Sequence, residues 1–178
     1  MDKLNSDWDL DKFDPAATSA RIRRFHLCAL RNELDEGDEG DEAGPPPVNH
    51  WVLSLETSLR SSVTFNLVPG DGPRGKIEVT SLSERYARET LRVFSFEPMA
   101  RLQVERIMAL MQRQDFMFTY GQEGRRRWLS GLMDDLEAAS FIPPGGAMVA
   151  WEALSQYWEK PEEAEIIIYK EAPLPEAE

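Results

Sequence analysis

An α+β fold, with an antiparallel β-meander sheet packed against about three helices, follows from three features of the chain. His50 to Glu56, Ser62 to Val68 and Lys76 to Ser81 each alternate apolar and polar residues over strand-like lengths. Gly70-Asp71-Gly72-Pro73 supplies turn chemistry before the third of these. Val104, Ile107, Met108 and Met111 instead recur at i, i+3, i+4 and i+7, the spacing of one helical face.

The elements follow in order. Residues 1–19 mix acids with Pro15 and small residues and read as a flexible acidic tail, with Trp8 and Phe13 as its docking points. A single domain is expected over 20–170, beginning with a strand from Ile22 to Arg31 on which His26 and Cys28 share a face. Residues 33–47 form an acidic Gly- and Pro-rich stretch whose like charges repel, and they read as a disordered loop. The loop lacks the residue pattern of a calcium-binding loop. After the meander, Leu91 to Phe96 is a short strand, and Glu97-Pro98 leads into the first helix.

Phe116 to Tyr120 reads as a further strand, broken by Gly121. A second helix is expected from about Glu123 to Ala139, burying Trp128, Leu132, Leu136 and Ala139. Phe141-Ile142-Pro143-Pro144-Gly145-Gly146 ends it. Met148 to Tyr157 offers a third helix with Met148, Trp151, Leu154 and Trp158 inward, and Glu165 to Tyr169 an edge strand before a tail at 171–178.

Charge and cysteine content narrow the function. A net charge of −12 works against binding a phosphate backbone, so no nucleic-acid partner is expected. Cys28 is the single cysteine, which excludes an intramolecular disulfide and a multi-cysteine metal site. No stretch approaches the roughly 18 apolar residues of a membrane span, and the polar N-terminus lacks the apolar core of a signal peptide. The expectation is a cytoplasmic protein with no membrane partner, no metal and no cofactor.

Two short motifs carry the chemistry. Asn49-His50-Trp51 puts one of the two histidines at a strand start, where it can titrate, position a nucleophile or cap the strand. Gly124-Arg125-Arg126-Arg127-Trp128 opens the second helix. On these motifs the chain resembles, over about residues 22–158, a family of uncharacterised fungal domains that share an Asn-His-Trp strand and a later Gly-Cys-Arg-x-Trp helix start. That arrangement is similar in turn to circularly permuted papain-like folds, such as relatives of lecithin retinol acyltransferase.

The resemblance implies a cysteine at the position that Arg125 holds. A thiolate belongs at a helix start because the helix dipole and a nearby histidine stabilise it. Arginine stays protonated and cannot attack a carbonyl, so a thiol hydrolase or acyltransferase working from that position is excluded. Cys28 reads as a small buried hydrophobe.

Three consecutive arginines on a helix span about 300 degrees and cannot all face one ligand. Cations near a helix N-terminus oppose its dipole, and a bound carboxylate would resolve the conflict. The expected pocket comprises His50 as acid or base, with Trp51, Tyr120, Arg125 and Trp128 binding a ligand. Three functions remain open. The first is a papain-like domain without its nucleophile, binding a small acidic molecule as an accessory protein in a fungal cell. The second is a cofactor-free isomerase or cyclase of specialised metabolism that uses His50. The third is a module whose acidic loop and tail engage a protein partner.

Overall fold

The computed structural model describes residues 7–32, 48–70, 75–113, 122–159 and 166–168. The strand expected at 116–120, the loop at 33–47 and the tail at 171–178 lie outside them. Strands β1 (Trp8–Lys12), β2 (Arg24–Leu30), β3 (His50–Ser58), β4 (Ser61–Pro69), β5 (Gly75–Leu82), β6 (Thr90–Phe96) and β7 (Ile166–Ile168) form one sheet in the order β1-β5-β4-β3-β2-β6-β7. Its five inner strands pair antiparallel, while β1 joins β5 and β7 joins β6 in parallel. Helices α1 (Val104–Arg113), α2 (Gln122–Ala138) and α3 (Gly146–Leu154) complete an α+β fold.

Period-two alternation gives the sheet its faces. Phe25, Leu27, Trp51, Leu53, Leu55, Phe65, Leu67, Ile77 and Phe96 all point to the helix side, where Val104, Ile107, Leu129, Leu132, Met133 and Leu136 meet them in the main core. The helical stripe of α1 is buried as its spacing predicts. On α2, Trp128, Leu132 and Leu136 are buried as expected, but Ala139 lies past the helix end and is exposed.

The end of α2 is a Schellman turn: Phe141 N–H donates to the Leu136 carbonyl (2.8 Å) and Ser140 N–H to the Glu137 carbonyl (2.9 Å). Ser140 takes the left-handed position with φ of 59°.

Helix α3 overturns one expectation. Met148 and Trp151 were expected inward, yet they are 62% and 54% exposed. Gly146, Ala147, Ala150 and Ala153 are the inward residues, together with Leu154. Small side chains let the helix sit close: a Cβ on Gly146 would lie 3.0 Å from Ile142 and 3.3 Å from Phe96. Side-chain size decided which face was buried, and larger apolar residues were left outside.

The N-terminal segment is anchored where its aromatics predict. Trp8 meets Phe65 edge-on at 6.3 Å, and Phe13 packs against the main core. Ion pairs Asp9–Lys76 (3.0 Å) and Lys12–Glu78 (3.1 Å) run along the β1–β5 seam.

Sheet order also dictates the path from β5 to β6. Four inter-strand spacings separate them, about 19 Å at the usual strand separation. Residues 83–89 must therefore cross the face opposite the helices. That crossing puts Arg85 against Glu56 and Tyr86 against His26, burying polar residues that would otherwise face water.

Candidate functional site

His50 begins β3 and points to the face opposite the helices, like Val52 two residues on. Leu30 is its partner across the β2–β3 pair; Cys28 and His26 share its face farther along, opposite Val52 and Ser54. Its Nε2 is 2.7 Å from Asn66 Oδ1. Because an amide oxygen only accepts, Nε2 carries the proton and the neutral ring keeps its lone pair on Nδ1. Burial, joined by the positive charge of Arg125, lowers the His50 pKa from 6.5 to about 4, against a smaller opposing effect of the Asn66 bond. At neutral pH the ring is uncharged.

Arg125 is the inward member of its triplet. It is buried, and its Nη2 and Nε donate to the Leu67 carbonyl at 3.1 and 3.4 Å. Leu67 lies beyond the Leu53–Phe65 pair that ends the β3–β4 register. The guanidinium thus ties the start of α2 to the end of β4. Arg127, facing out, pairs with Glu123 at 2.7 Å. Together these contacts relieve the repulsion between the cations and the helix N-terminus.

Trp128 lies one turn after Arg125 and is buried in the main core. Its Nε1–H has no hydrogen-bond acceptor among the described residues. Such a buried donor costs about 1–3 kcal/mol. Trp51 is also a core side chain, 6.3 Å from Phe94 between ring centroids. Tyr120 is outside the described residues. The fold therefore brings His50 and Arg125, 75 positions apart in the chain, to one corner, with the two tryptophans in the core.

A second cluster escaped the sequence reading. His26 Nδ1 is 2.6 Å from Ser95 Oγ, and its Nε2 is 2.6 Å from Glu56 Oε2. Arg85 Nε donates to the same carboxylate oxygen at 3.0 Å. Tyr86 stands edge-on to His26 with ring centroids 5.1 Å apart. Burial pushes the Glu56 pKa up, but hydrogen bonds from His26 and Arg85 and their charges outweigh it and hold the carboxyl below its ordinary value.

Hydroxyl, imidazole and carboxylate in series have the connectivity of a nucleophile, base and orienting group. Here Ser95 and His26 are fully buried, and the linkage fastens the crossover to the sheet. Only the alternation of polar residues on β2, β3, β4 and β6 hinted at it: His26, Ser54, Glu56, Ser62, Thr64 and Ser95 share one face. That pattern ordinarily marks a wetted face.

Cys28 is buried on this side, its Sγ donating to the His26 carbonyl at 3.7 Å. No group of three or more His, Cys, Asp or Glu among the described residues could hold a metal ion. No described helix is long and apolar enough to cross a membrane.

Comparison with curated proteins and with solved structures finds no match. Residues 25–175, which include His26, Glu56, Ser95 and the His50–Arg125 corner, match the model of a domain of unknown function, DUF7770, and the chain belongs to that family.

Proposed function

We propose that this chain is a permuted papain-like domain that has lost its nucleophile and binds a small acidic molecule at the His50–Arg125 corner, as an accessory protein in the cytoplasm of a fungal cell. The convergence of His50 and Arg125 on consecutive residues of β4 carries the reading: the imidazole bonds Asn66 and the guanidinium bonds the Leu67 carbonyl. A permanent cation beside a neutral imidazole suits a carboxylate, which accepts from the first and shares a hydrogen bond with the second. The Trp128 indole, on the same side of α2 as Arg125, supplies a further donor with no protein acceptor among the described residues. Thiol chemistry is unsuited to this arrangement, because Arg125 cannot attack and Cys28 is sealed.

Thermal-shift titration with succinate and citrate tests the proposal. Saturable stabilisation is expected, weakened about tenfold or more by Arg125→Gln and by Trp128→Phe, a loss of roughly 1.4 kcal/mol or more. The Phe variant keeps the ring in the core and so separates ligand contact from packing. Equal shifts in the wild type and both variants would sink the reading.

His50 also supports a second reading, a cofactor-free isomerase or cyclase. Its uncharged ring, oriented by Asn66, keeps Nδ1 unprotonated as a base within the electrostatic field of Arg125. His50→Gln would then abolish turnover while leaving ligand stabilisation largely in place.

A further inference from the structure

A groove of about 630 Å³ opens beside α1, at the far end of α2 from Arg125. Arg125 and Ala138 are thirteen positions apart on the helix, about 20 Å at 1.5 Å per residue. The groove is lined by the segment before α1, by the exposed side of α1 and by Phe141.

Arg101 and Arg106 both line it, and neither forms an ion pair among the described residues. Two guanidinium groups left without carboxylates are unexpected in a chain with 32 acidic residues. Arg106 lies over Phe141, its guanidinium carbon 5.9 Å from the ring centroid. The Schellman turn at the end of α2 fixes Phe141, whose carbonyl also accepts from Met99 N–H at 3.0 Å. Gln103 anchors the opposite side, bridging to Arg21 and donating from Nε2 to the Ser19 carbonyl at 3.0 Å. The groove therefore has fixed walls, an aromatic surface and two cations.

We propose that this groove binds an organic monocarboxylate with a flat apolar body. The carboxylate accepts hydrogen bonds from Arg101 and Arg106, whose planar forks match its geometry. The flat body packs against Phe141 and Ala109. Glu105 sets the charge preference: two arginines and one glutamate leave one net positive charge in the lining, which favours a monoanion over a phosphate dianion. This site is separate from the His50–Arg125 corner and stands whether or not that corner binds a ligand.

Titration of the full chain with 2-naphthoate, followed by amide chemical shifts, tests the proposal, with 2-naphthamide and inorganic phosphate as comparisons. Saturable naphthoate binding should perturb residues 100–109 and 141, and it should weaken about tenfold or more in Arg101→Gln and in Arg106→Gln. Both side chains are exposed, so these variants keep the fold. Arg127→Gln, on the exposed side of α2, should leave naphthoate binding unchanged. Absence of saturable binding, naphthamide or phosphate binding as tight as naphthoate, or full affinity in the Arg101→Gln/Arg106→Gln double variant would each overturn it.

Discussion

Asn49 and Trp158 hold each other by two hydrogen bonds of 2.7 Å, the side-chain amide donating to the Trp158 carbonyl and accepting from its N–H. The same amide donates to the Leu30 carbonyl at 3.3 Å. The first residue of the Asn-His-Trp motif is thus a tie between the end of β2, the start of β3 and the chain after α3. Arg92 lies over the Trp158 ring at 4.8 Å, and Phe94 packs beside it.

Asn49→Ala should cost about 2–3 kcal/mol, because it leaves partly buried backbone groups without partners. Asn49→Asp should cost less, since one carboxylate oxygen can still accept from Trp158 N–H. Urea denaturation of both variants measures the difference. Equal, negligible losses would show that the tie is slack.

His50 has a definite pH signature. Its folded pKa is about 4 and its unfolded reference 6.5, so the unfolded chain binds the extra proton first. The stability linked to His50 is complete above pH 6.5 and is lost as pH falls toward 4. His50→Gln should flatten that limb of the stability curve. Arg125→Gln should raise the His50 pKa toward its reference value in an NMR titration. A His50 pKa that stays unmoved in this variant would mean that burial alone sets it.

Glu56 governs the crossover. Glu56→Gln removes the charge that His26 and Arg85 share and should destabilise the fold by about 3–5 kcal/mol. Hydrogen exchange should quicken most at residues 83–89, which the carboxylate fastens. The folded Glu56 pKa is depressed, so its contribution is present above the unfolded carboxylate value and fades as pH falls through the folded one. Uniform acceleration across the sheet would argue against a local latch.

The two tryptophans of α2 and α3 should behave oppositely. Trp128→Ala opens a cavity in the main core and should cost about 3–5 kcal/mol. Trp151→Ala on the exposed side of α3 should stay within about 0.5 kcal/mol. Thermal denaturation of the pair would reverse the assignment if Trp151 proved the costlier.

Ser140→Gly should stabilise the fold by up to about 1 kcal/mol. The residue sits at a φ of 59°, where a Cβ is unfavourable and glycine is not. A loss of stability on chemical denaturation would mean that the serine side chain contributes more than the left-handed position costs.

The inner strands were legible because each keeps one apolar face, as Leu53 and Leu55 do on β3 and Phe65 and Leu67 on β4. The stripe of α1 was legible for the same reason at helical period. Helix α3 was not: hydropathy ranks Trp151 above Ala150, whereas close approach to β6 selects the smaller residue for the inside. Hydropathy cannot supply that distance. The His26 cluster was hidden because its partners lie 30 and 69 residues away and meet only once the sheet order is known. At the corner, His50 and Arg125 were visible as motifs. The Asn66 and Leu67 carbonyl contacts that hold them depend on where β4 ends.

The crossover also imposes an order of events on folding. Strands β3, β4 and β5 are joined by short hairpins and can pair from local contacts alone, whereas β6 reaches its place beside β2 only after the chain has traversed three strands. Closing that long-range contact follows the rate-limiting pairing of the meander, because its loop-closure entropy is paid last. Mutations at Tyr86, Glu56 and Ser95 should then accelerate unfolding more than they slow folding, giving low φ-values, while Val63 and Phe65 in the meander give higher ones. The polar cluster under Tyr86 is a late seal on the molecule, and its strength sets how long the folded state lasts rather than how quickly it forms.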